Sequence, residues 1–158
     1  MLRETIRTSE ERQKKVDLVI KTAHDLIGAP YKYGAYLEES ASNQTGFDCS
    51  SFIQYIFKPI NINLPRSTII QAATPGEEIV YPDIVMPGDI IFFEGTRGHF
   101  RHDLFPNRKI YIGHVALSIG SSSVIHATNN PTASGVVKQL IITLPNPPYN
   151  IVLVKRFI

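Results

Sequence analysis

The chain has 158 residues, 43% of them apolar, with a formal net charge of +2 at pH 7; that allows one ordinary core, argues against two, and gives too little positive charge to point to nucleic acid. A pI near 8.7 suits a polyanionic surface or substrate. The single cysteine excludes an internal disulfide and a thiolate zinc site, so the fold must stand without either staple; no metal and no cofactor are expected.

The first sixteen residues, MLRETIRTSEERQKKV, are charged throughout and lack the apolar centre of a secretory signal. The polypeptide as given is therefore expected in the cytoplasm, unless a leader was trimmed or export takes a non-classical route. From Thr8 to Ile27 the pattern predicts one amphipathic helix. Thr8 and Glu11 have capping-box spacing, and Val16, Val19, Ile20, Ala23, Leu26 and Ile27 form a single apolar stripe. Gly28 and Pro30 stop it. The polar, turn-rich stretch KYGAYLEESASNQTG reads as a loop that delivers the chain to Asp48.

A second helical pattern follows in Cys49, Phe52, Ile53, Ile56 and Phe57, closed by Pro59. Asp48 suits the N-cap, which leaves Cys49 in the first turn. A short helix is expected from about Ser67 to Ala73. Beyond MPGD the character turns to β in IIFF, KIYIGHVALSI, SVIHAT, GVVKQLIIT and IVLVKRFI. These apolar runs are strand-sized, far short of the ~20 residues of a membrane helix, so no membrane span is expected. Helices first and strands afterwards predict an α+β fold with an antiparallel sheet.

A lone cysteine on a helical apolar stripe is most often a small packing residue. Cys49 differs in its placement, because unpaired N–H groups and the dipole at a helix start favour negative charge and lower a thiol's pKa. Two histidines are placed to assist. IGHVALSIGSSSVIHAT reads as a hairpin turning at Gly120 to Ser122, with His114 on one arm and His126 on the other. A turn of odd length puts residues of equal parity on one face, so both imidazoles share it. One ring then takes the thiol proton while the other orients it. His24 reads as a surface or boundary residue. His99 and His102, in EGTRGHFRHDLFPNRK, have metal-like spacing without a third ligand and read as a solvated loop.

In this order, IGAPYKYGA, GFDCSSFIQYIF, LPRST, PGDIIFF, GHVALSIG and VIHA resemble the NlpC-like (NlpC/p60) family of bacterial cell-wall cysteine peptidases. The likeness runs from about Ile27 to Thr128. It implies a papain-like fold, with N-terminal helices on a five- to six-stranded antiparallel sheet, in a single domain over residues 1–158. It also implies the nucleophile at Cys49, the general base at His114 and the orienting residue at His126. Asp48 and Ser50 would shape the stem-peptide subsite, with a substrate amine near Asp48, and Thr68 would face the same subsite.

The implied substrate is peptidoglycan or a muropeptide, and the implied reaction is hydrolysis of the bond between γ-D-glutamate and a diamino acid. Alternatives on the same fold are an N-acetylmuramoyl-L-alanine amidase or a lipid acyltransferase; a cell-wall-binding module without catalysis is a third reading. The chain departs from the family pattern at Ala35 and Ser51, where glycines are usual, and in a longer stretch over residues 94 to 109. There Arg97, Arg101, Arg108 and Lys109 suggest a lid, an anchor for anionic polymer, or a solvated loop.

Overall fold

A computed structural model describes residues 2–37, 46–80, 84–94, 100–145 and 149–158, with side chains from residue 7 onward. Helix α1 spans Leu2–Asp25 and buries Val16, Val19 and Ala23 along the stripe the sequence marks. It begins earlier than the Thr8 cap expected above. The residues before Thr8 are ordinary helix formers with no breaker among them, so the helix runs through Thr8. Glu11 pairs instead with Arg7 one turn back, at 3.4 Å.

Helix α2, Cys49–Phe57, and the short helix α3, Thr68–Ala73, follow as expected, with a 3-10 turn over Lys58–Ile60 between them. The strands are β1 Glu77–Ile79, β2 Ile90–Phe93, β3 His114–Gly120, β4 Ser123–Asn130, β5 Ala133–Leu140 and β6 Ile151–Arg156. They form one six-stranded sheet in the order β1-β6-β2-β3-β4-β5, every neighbouring pair antiparallel. The fold is α+β. Strand β1 was not marked in the sequence because it has only three residues, two of them exposed glutamates.

Both faces of the sheet are covered, which explains why IIFF is apolar throughout instead of alternating. On one face Phe52, Ile53, Ile56 and Phe57 of α2 pack with Ile90, Phe92, Val115, Leu117 and Ile125. Each of these four α2 side chains is 0% exposed, and each contributes about 1.5–3 kcal/mol by burial. The back half of α2 therefore anchors the helix and fixes where its first residue sits. On the other face Ile91, Phe93, Ala116, Val124 and Val154 are covered by Leu144, Ile141 and Tyr149.

The β3–β4 hairpin reaches the expected parity by a different route. Its turn has two residues, Ser121 and Ser122, both with positive φ, as a type I′ connection requires. An even turn alone would put residues of opposite parity together, as Gly120↔Ser123 does. Between there and Ser118↔Val124, Ile119 is an extra residue on β3, and this bulge shifts the register by one. From Leu117↔Ile125 onward, even-numbered residues of both strands share a face, His114 and His126 among them.

Candidate active site

The site begins with how the chain enters α2. Asp48 is the N-cap: its Oδ1 accepts the Ser51 N–H at 2.9 Å, and the Ser51 hydroxyl accepts the Asp48 N–H at 3.1 Å. This is a complete capping box. Ser51, one of the departures from the family pattern, thus has a structural task that glycine lacks. The Asp48 Oδ2 accepts the Gly34 N–H at 3.1 Å and also holds the Arg66 guanidinium. Arg66 Nη1 donates to the Ser50 hydroxyl at 2.6 Å, and the Tyr36 ring lies 5.5 Å from the guanidinium carbon.

This network gives Asp48 a structural role at the start of α2. The residue is 6% exposed and both carboxylate oxygens have internal partners. Its side chain is 9% exposed, against 33% for that of Arg66. Thr68 opens α3 two residues later and is buried.

A second segment is drawn in by backbone pairing. The Phe47 N–H donates to the Pro30 carbonyl and the Lys32 N–H to the Phe47 carbonyl, each at 3.0 Å, which seats Tyr31 beside the start of α2. Gly46 makes that approach possible: its φ is +108°, and a Cβ there would lie 2.5 Å from the Pro30 carbonyl oxygen. Burial first, then the neighbouring Cys49 and Asp48, push the half-buried Tyr31 hydroxyl up to about 12, so it remains a hydrogen-bond donor throughout the physiological range.

Cys49 is half-buried at the mouth of α2. Burial pushes its thiol up to about 12, Asp48 adding to the effect; the N–H groups of Val115 and Ser50, then Arg66, act in the opposite direction. Desolvation is thus the largest influence on the thiol, opposite in direction to the lowering expected at a helix start. The Val115 N–H that acts on the sulfur belongs to the residue directly after His114, so the start of β3 lies against the start of α2.

His114 and His126 are hydrogen-bonded, Nε2 of the first to Nδ1 of the second, at 2.7 Å. Burial holds His114 well below the ordinary histidine value, and the neighbouring His126 adds to this. Burial likewise lowers His126 to about 4 against the opposing bond from Gln139. The thiol and both imidazoles are each shifted toward their neutral forms. Tyr149 packs edge-on against His114 with ring centroids 5.1 Å apart, and its hydroxyl lies 3.2 Å from that of Thr128.

Sequence reasoning did not single out Tyr31, Arg66, Tyr149 or Gln139. Tyr31 and Arg66 lie inside motif segments, YKYGA and LPR, whose side chains had no chemistry attached. Of the long stretch, Phe105 is buried in the core, Arg101 pairs with Asp103 and Arg108 with Glu78, so these arginines have internal partners. The His102 ring lies against Phe100; Arg97 and His99 fall outside the described residues.

Residues 28–142 match the model of the NlpC/P60 family. The chain is 34% identical over 122 residues to a gamma-DL-glutamyl hydrolase of Bacillus subtilis, a match covering 76% of this chain and 25% of that protein. It is 31% identical over 133 residues to a gamma-D-glutamyl-L-lysine dipeptidyl-peptidase of Bacillus cereus, covering 84% and 33%. The chain thus spans about a quarter to a third of the length of these relatives. A crystal structure of an NlpC/P60 family protein from Bacillus cereus superposes with a TM-score of 0.68 and 25% identity, covering 90% of this chain and 40% of the other. With nearly three-quarters of its length inside the matching region, the chain belongs to the NlpC/P60 family.

Proposed function

We propose that this protein is a cysteine peptidase that hydrolyses peptidoglycan stem peptides, or muropeptides derived from them, at the bond between γ-D-glutamate and a diamino acid. The observation that carries the reading is the 2.7 Å bond between the buried imidazoles of His114 on β3 and His126 on β4, where β3 also supplies the Val115 N–H that acts on Cys49. A packing thiol has no use for such a pair. The names of the two relatives above, both acting on γ-glutamyl bonds, favour this linkage.

The reaction follows from the neutral resting pair. As Sγ of Cys49 attacks the amide carbonyl, its proton passes to Nδ1 of His114, the ring nitrogen left over by the bond to His126. The new imidazolium is stabilised because its Nε2–H already donates to His126. The carbonyl oxygen becomes an oxyanion stabilised by the backbone N–H of Cys49 at the start of α2, with the protonated Tyr31 hydroxyl nearby. His114 next gives its proton to the departing amine, the C–N bond breaks, and a thioester remains on Cys49. Water, losing a proton to Nδ1 of His114, then attacks the thioester, and the thiolate leaves and is reprotonated.

Digestion of purified peptidoglycan, with products identified by mass, tests the reading. New free diamino-acid amino termini beside γ-D-glutamyl carboxylates are expected. Release of free lactyl-sugar would assign an amidase instead, and unchanged sacculi and muropeptides would leave a binding module.

A further inference from the structure

A histidine pair joined through ring nitrogens can be read in two directions. Only one of them gives a base, because Nδ1 of His114 must be bare to receive the thiol proton; if it carries hydrogen, it can only donate. The bond between His114 and His126 is silent on this, since either ring can be the donor. The direction is decided further out. Nε2 of His126 lies 2.8 Å from Oε1 of Gln139, a carbonyl oxygen that only accepts. His126 must then carry its hydrogen on Nε2, which leaves Nδ1 as acceptor, makes His114 the donor through Nε2, and leaves Nδ1 of His114 bare.

The orientation of the Gln139 amide is set in turn by the β4–β5 turn. Asn130 Oδ1 accepts the backbone N–H groups of Thr132 and Ala133, each at 2.9 Å, so the atom facing them is an oxygen. The Thr132 hydroxyl donates to that same oxygen at 2.7 Å and is left to accept from Gln139 Nε2 at 3.4 Å. With its nitrogen engaged there, the amide turns its oxygen to His126. The register makes the contact possible: His126 pairs with Val137 and Gln139 with Val124, so Gln139 is the diagonal neighbour of His126 on the same face.

We propose that Gln139 is a positioning residue that fixes both histidines as Nε2–H tautomers, so that His114 presents a bare Nδ1, through a one-way chain of hydrogen bonds anchored on the backbone of the β4–β5 turn. Its catalytic use rests on the hydrolase reading above, whereas the tautomers themselves do not. The backbone amides at the head of the chain cannot reverse, and each later link has a single consistent donor. A ring neutral by burial but free to exchange tautomers would be a competent base for only part of the time.

Nitrogen-15 NMR of protein labelled in histidine reads the tautomers without any substrate. In the wild type, both rings are expected to show bare Nδ1 and protonated Nε2. Gln139→Leu is expected to give mixed tautomers on both rings and to lower kcat on a γ-D-glutamyl substrate by about 10- to 100-fold with KM little changed. Gln139→Glu, which can only accept, is expected to restore the Nε2–H tautomers and most of kcat; being nearly isosteric, it also decides the matter if the leucine variant does not fold. Wild-type spectra with Nδ1 protonated on either ring, or Gln139→Leu spectra identical to wild type, would overturn the proposal. Absence of wild-type hydrolysis would instead remove the hydrolase reading, and the spectra would still decide the role of Gln139.

Discussion

Arg66 and Asp48 form an ion pair in which the carboxylate is almost wholly enclosed and the guanidinium is one-third exposed. The same guanidinium fork holds the Ser50 hydroxyl. The pair therefore presents a cationic edge beside Cys49 while its acidic half serves the helix. Arg66→Ala is expected to lower kcat/KM by about 10- to 100-fold and to cost about 1–3 kcal/mol of stability, since it leaves a buried carboxylate short of a partner. Arg66→Lys keeps the charge but not the two-pronged geometry, so it should recover stability better than activity. Steady-state kinetics with urea unfolding on both variants check this; full activity in Arg66→Ala would remove Arg66 from the subsite.

Ser51 closes the capping box from inside the helix, where it is 0% exposed. Ser51→Ala leaves the Asp48 N–H without its partner and should cost about 1 kcal/mol. Ser51→Gly, the usual residue in the family pattern, should cost up to about 1 kcal/mol more through helix propensity. Equilibrium urea denaturation measures both. A stabilised glycine variant would contradict the role given to the hydroxyl.

Gly46 is strained for any other residue by its positive φ and by the Pro30 carbonyl at 2.5 Å from a built Cβ. Gly46→Ala is expected to destabilise by about 2 kcal/mol or more. It should also reduce activity beyond what the lost stability explains, because the same backbone pairing seats Tyr31. Activity measured well below the midpoint of unfolding separates the two effects.

Much of the frame was legible in the sequence, for reasons visible residue by residue. Helix α2, its Asp48 cap and the position of Cys49 follow from apolar spacing and local capping chemistry, which do not depend on distant contacts. The false start at Thr8 has the opposite cause: a good capping pattern inside a run of helix formers loses to propensity. Ile119 is a bulge with no compositional mark, so the shared face of His114 and His126 was reached from a turn of the wrong length. Arg66 and Gln139 act across the fold, 18 residues from Asp48 and 13 from His126, and spacing alone carries no such information.

The buried imidazoles make stability depend on acid. His126 has a folded pKa of about 4, below its ordinary 6.5, so the unfolded chain binds the proton more readily than the folded one. Its neutral state thus contributes full stability above about pH 6.5, and that contribution is lost as pH falls from there toward 4. The loss is on the order of 3 kcal/mol for His126, and His114 is shifted in the same direction. Unfolding free energy measured from pH 7.5 to 4.5 should fall steeply, and His126→Gln should flatten the profile. An unchanged slope in that variant would mean that the ring is not held neutral.

The central claim is that Cys49 carries the acyl group during hydrolysis. Its most direct measurement is intact-mass and peptide-mapping analysis of enzyme quenched with acid during turnover of a γ-D-glutamyl–diamino acid peptide. A γ-D-glutamyl acyl adduct on the peptide containing Cys49 is predicted, with neither adduct nor product from Cys49→Ala. Undiminished turnover by Cys49→Ala, or an adduct at another residue, would contradict it.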